Sequence, residues 1–172
     1  MRPPGRPLMS RLTRHLRRAA TALAVLVTVA ATPSPDTLVS RLAPLYQRLD
    51  ARDVAPHLWL AMREDPHPEV RRLAARVLSS VADPAHLPLL ELYHRDGSPL
   101  VRVETMVAAG RLGPAGAGLA RAGLTDVSPA VRQAASWAAA HGGTIGCEDL
   151  LARVTVERDP AVLATMVGNL FR

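Results

Sequence analysis

The sequence predicts an all-α solenoid: about four stacked helix pairs, with one further helix capping the N-terminal end. Two observations carry that reading. The phrases "DPHPEVRRLAARVLSS", "DGSPLVRVETMVAAG", "DVSPAVRQAASWAAA" and "RDPAVLATMVGN" set Val70, Val101, Val131 and Val162 at intervals of 31, 30 and 31 residues. A fixed period of this length marks stacked supersecondary units. No segment sustains the two-residue alternation of a strand.

The first 31 residues stand apart. An Arg-rich stretch, "RLTRHLRR", leads into "AATALAVLVTVAA", an apolar run from Ala19 to Ala31. Its 13 residues fall short of the roughly 20 that span a bilayer as a helix. Charged, apolar and small-residue segments in this order read as a secretory signal cleaved after Ala31, or as an uncleaved signal anchor. The protein is therefore expected outside the cytoplasm, periplasmic or extracellular. Its only expected membrane contact is through that N-terminal anchor.

Residues 32–52 read as a linker followed by the capping helix "DTLVSRLAPLYQRLD". The repeat domain then runs over residues 53–172. In each unit Pro68, Pro99, Pro129 or Pro160 opens a second helix, where a fixed φ and a missing N–H cost nothing. Ser98, Ser128 and Asp159 stand just before a proline, where a side-chain oxygen caps free backbone donors. "VAPHLWLAMRED", "PAHLPLLELYHRD", "GAGLARAGLTD" and "CEDLLARVTVERD" supply the first helices. Gly113 and Gly142–Gly143 punctuate the ends.

On these residues the chain resembles HEAT-type repeats, and most closely the short HEAT-like, or phycobilisome-lyase-type, form. The unit "LPLLELYHRDGSPLVRVETMVAAGRLG" carries the resemblance: a first helix ending in Asp, a turn, then a second helix opening Val-Arg with Ala-rich packing positions. The fourth unit departs from the pattern, with Glu157 for the acid and Leu163 where Arg71, Arg102 and Arg132 predict Arg. The resemblance implies that Asp65, Arg71, Asp96, Arg102, Asp126 and Arg132 form a structural ladder at the inter-helix turns. An acid near a helix N-terminus is favoured by the dipole, and Arg binds a carboxylate with forked geometry.

Charge argues against a nucleic-acid partner. The net charge is +6, yet six of the 21 basic residues precede the first acid, Asp36, and the other 15 match the 15 acids one for one. Aromatics make up only 3%, so the basic, aromatic-lined face of repeat glycosylases is missing. Catalytic groupings are absent too. The six histidines show no metal-ligand spacing, and the His-Glu dipeptides of HEAT-like di-iron hydroxylases do not occur. His94 reads as an exposed side chain compensating a helix C-terminus. Glu148 and Asp149 oppose a reactive thiolate at Cys147. The reading is a protein that is not an enzyme and has no cofactor and no metal.

The expected work is protein–protein interaction, as a scaffold or adaptor of the cell envelope. The resemblance implies that the second helices line a concave binding surface. With Val70, Ala74, Val77 and Leu78 facing the core, the outward positions are Arg72, Ala75, Arg76 and Ser79, and their equivalents along the chain. The candidate partner-binding residues are Arg72, Arg76, Val103, Met106, Val107, Gln133, Trp137 and Phe171. A helix phase shifted by one residue makes the apolar ones core instead. The alternatives are a repeat segment of an exported enzyme, such as a HEAT-bearing prolyl isomerase, and a ligand-binding protein like the bilin lyases.

Overall fold

The computed structural model describes residues 37–52, 56–143 and 147–171; the side chains of Pro56, His57 and Cys147 are outside it. The signal segment 1–31 and the linker up to residue 36 lie outside the described residues. From Leu38 onward the chain is one compact unit.

Among the described residues there are α-helices and two 3₁₀ turns and no strands. The helices are α1 Leu38–Ala51, α2 Pro56–Arg63, α3 Pro68–Val81, α4 Leu87–His94, α5 Pro99–Arg111, α6 Ala117–Gly123, α7 Pro129–His141, α8 Cys147–Val154 and α9 Pro160–Leu170. The longer helices α1, α3, α5, α7 and α9 each pack on the next to form one row. The short helices α2, α4, α6 and α8 pack against that row from one side. The capping helix α1 occupies the same position in the row as the second helix of every later unit.

The core lies between the two layers. Val70, Val101, Val131 and Val162 are all buried, at 1% exposure or less, which fixes the helix phase. Each of α3, α5, α7 and α9 begins at its repeat proline. Asp159 caps α9 as expected, accepting from the backbone of Ala161 and Val162. Ser98 and Ser128 make no side-chain cap bond. Their own N–H groups are instead held by the acids two residues earlier, Asp96 and Asp126, each at 2.8 Å. The acid, rather than the serine, shapes the turn.

The row ends its helices on a recurrent left-handed residue. Gly113 and Gly143 have φ of 59° and 57°, a region glycine enters without a Cβ penalty. Ala82 holds the equivalent place after α3, with φ of 52°.

Candidate protein-binding face

The ladder residues are brought together, but each arginine grips the acid of the next unit and not the one six residues before it. Arg71 donates from Nε and Nη2 to the Asp96 carboxylate at 2.7 and 3.1 Å. Arg102 grips Asp126 at 2.8 Å through both nitrogens, and Arg132 grips Glu157 at 2.7 and 2.8 Å. What Arg102 takes from its own unit is backbone: Nη1 donates to the carbonyl of Asp96 at 2.8 Å. The acid's carboxylate is turned into its own turn to accept the Ser98 N–H, so only its carbonyl faces the arginine six residues on.

Each rung therefore ties three things: a helix start, the turn before it, and the next unit's acid. The carboxylates are nearly buried, with side-chain exposures of 6%, 8% and 2% for Asp96, Asp126 and Glu157. Burial alone pushes the Asp96 and Asp126 carboxyls up. The guanidinium forks and backbone N–H donors outweigh it and hold both below the usual aspartate value. Arg132 draws Glu157 down to about 2. Sequence reading missed the first rung, Arg41 to Asp65 at 2.8 Å. The signal was present, since Arg41 stands 30 residues before Arg71. Leu163 closes the series, so no guanidinium leaves α9.

The side of the row away from the short helices is open among the described residues. Its midline is the equivalent set Tyr46, Arg76, Val107 and Trp137, flanked by Val103, Gln133 and Leu100. Tyr46 and Leu100 are exposed at 48% and 58%, and neither was singled out from the sequence. Arg76 and Gln133 are exposed, while Val103, Val107 and Trp137 are half-buried. The Trp137 ring stacks on His141 with centroids 4.8 Å apart.

Two of the four outward rows were misplaced. Met106 is fully buried, as are its equivalents Ala75 and Ser136. Ser79 and Gly110 are buried as well. These rows face the next helix in the row, as the bond from Asn169 back to Ser136 at 2.9 Å shows. A helix in such a row is covered on two flanks as well as beneath, so its open face is narrower than a single amphipathic stripe suggests. Phe171, 85% exposed, belongs to a stacking row and lies off the open face.

Arg72 is no free cation. It bonds Glu69 at 2.7 and 2.8 Å and also reaches Glu104 of the next unit. His94 is half-buried rather than exposed, and its Nδ1 has no partner. Burial lowers its pKa. It borders a hollow of about 380 Å³ with Arg102, Thr125 and Asp126. No group of three or more potential metal ligands occurs among the described residues, and none of the described helices is long and apolar enough to cross a membrane.

Comparison with known proteins places this architecture. Residues 55–122 match the family of HEAT repeats. A solved structure, the complex of CpcE and CpcF of phycocyanin lyase from Nostoc sp. PCC7120, is similar with a TM-score of 0.64 at 19% identity. The match covers 87% of this chain and 98% of that one. No curated protein matches the sequence. The likeness corrects one expectation. A phycocyanin lyase is an enzyme complex, so the lack of a recognisable catalytic motif in stacked helices does not make this protein a non-enzyme. From the period of the sequence through the two helical layers to these matches, the chain has the all-α solenoid fold of HEAT-like proteins, and its residues 55–122 match HEAT repeats.

Proposed function

We propose that the protein binds a protein partner along the open face of its long helices. The observation that carries this reading is the row Tyr46, Arg76, Val107 and Trp137, an exposed cation between aromatic and aliphatic side chains on a rigid helical floor. Aromatic and Arg residues dominate interface hot spots, where truncation costs roughly 2 kcal/mol or more. The test is capture from the source cell envelope with wild type and with Trp137→Ala. The expected result is a specific partner lost from the variant at a temperature where its helicity is retained, although losing the packed ring lowers its melting temperature. A partner held equally by both proteins overturns the reading.

A second reading, a bilin-lyase-like role, is favoured by the shared architecture with the phycocyanin lyase complex. It predicts that a free linear tetrapyrrole raises the melting temperature in proportion to the logarithm of its concentration. No shift at saturating pigment removes it. We also propose that residues 1–31 direct export, so that N-terminal sequencing of the mature protein reads from Thr32. A chain recovered from the cytoplasm with Met1 intact contradicts this.

A further inference from the structure

On the long helices Arg41, Arg71, Arg72, Arg102 and Arg132 each meet a carboxylate. Arg76 on α3 and Arg111 at the end of α5 do not. Both are exposed, and neither forms an ion pair among the described residues. Yet the stack brings them together. Arg111 reaches back across the furrow to α3, donating from Nη1 to the Ser79 carbonyl at 3.2 Å and to the Ser79 hydroxyl at 3.3 Å. Ser79 stands three residues after Arg76, and positions three apart on a helix lie about 5–6 Å from each other. Val107, one turn before Arg111, is half-buried beside them, and Trp137 holds the equivalent place in the next unit.

Two cations set this close repel unless an anion joins them, and neither helix supplies one. The only acid of α3 is Glu69 and the only acid of α5 is Glu104. Arg72 takes both: Nε and Nη2 hold the two Glu69 oxygens, and Nη1 reaches Glu104. Arg76 and Arg111 also lie inside the row. Helix α3 packs between α1 and α5, and α5 packs between α3 and α7.

We propose, resting on the reading of this face as a protein-binding one, that the partner sets an Asp or Glu side chain between Arg76 and Arg111. An apolar side chain beside that acid lies over Val107 and Trp137. Guanidinium groups bind a carboxylate through forked, charge-assisted bonds. A carboxylate suits this place better than a phosphate. Arg111 is the last residue of α5, where the partial charge of the helix is negative and disfavours a dianion. The occupant is an acidic protein segment with an apolar anchor.

Selection of random peptides displayed on phage against the full chain tests this. The expected binders carry Asp or Glu next to an aromatic or aliphatic residue. Such a peptide, synthesised, should bind Arg76→Gln and Arg111→Gln each roughly tenfold more weakly than wild type. Replacing its acid by the amide should weaken binding to wild type and shrink the effect of both substitutions. Arg95→Gln removes an exposed, unpaired arginine at the end of a short helix and should leave binding unchanged. Trp137→Ala, assayed where its helicity is retained, separates the two readings. Peptides that bind this variant as well as wild type overturn the open-face reading and this proposal with it. Peptides lost from it that carry no acid, or that bind both Gln variants as tightly as wild type, overturn the carboxylate site alone. A library that yields no binder overturns the proposal as well.

Discussion

The indole of Trp137 rests against Gly110 of the preceding long helix: a Cβ on Gly110 would fall 2.7 Å from Trp137 Cζ3 and 3.0 Å from the Ala138 Cα. The side chain at the centre of the open face is therefore positioned by a missing methyl group one unit away. The backbone of α7 lies only 0.3 Å further from that Cβ than the ring does, so rotation of the ring alone leaves a tight contact.

Gly110→Ala is expected to push α7 from α5 and lower stability by about 1–3 kcal/mol, the range for overpacking a close contact. Partner binding through Trp137 should fall as well. Urea unfolding checks the first effect, and a midpoint equal to wild type's contradicts the contact.

Ala82→Gly should act in the other direction. Ala82 holds the left-handed conformation that Gly113 and Gly143 supply in the next two units. Relieving an L-residue there is worth about 1 kcal/mol, partly offset by the greater freedom of glycine when unfolded. A raised melting temperature is the expected result; a lowered one shows that the methyl group is needed.

Acid should unlock the stack from its rungs. Glu157 titrates near 2 in the folded protein against an ordinary 4.5, and Asp96 and Asp126 are also lowered. A depressed folded pKa gives stability that is complete above the unfolded value and is lost as pH falls through the folded one. Stability should therefore decline between about pH 4.5 and 2. The Glu157 share is on the order of 3 kcal/mol. Glu157→Gln removes that share, so its stability should vary less over this range. An identical pH profile for the variant rules this out.

Much of the architecture was legible because its signals are local. Proline at the start of α3, α5, α7 and α9, valine as the third residue of each, and the period itself need no knowledge of neighbours. The rungs were legible as residues and not as pairs. Sequence distance favours an acid six residues from Arg102, whereas stacking brings in Asp126 from 24 residues away. Met106 was misread for a related reason. One helix considered alone shows a single buried stripe, and the flank that meets the next helix looks like surface. Tyr46 and Arg41 were missed because α1 lacks the Asp-turn-Pro phrase, although both keep the period.

The rung assignment is the claim on which the stack depends, and a double-mutant cycle measures it directly. Arg102→Ala alone leaves the Asp126 carboxylate buried without its cation and should cost about 3–5 kcal/mol. Asp126→Asn in the Arg102→Ala background should then cost much less than it does in wild type. Asp96→Asn, which removes no side-chain partner of Arg102, should cost nearly the same in both backgrounds. Strong coupling of Arg102 to Asp126 and weak coupling to Asp96 is the predicted result. The reverse order would place the charged pairs within single units and contradict a stack locked from one repeat to the next.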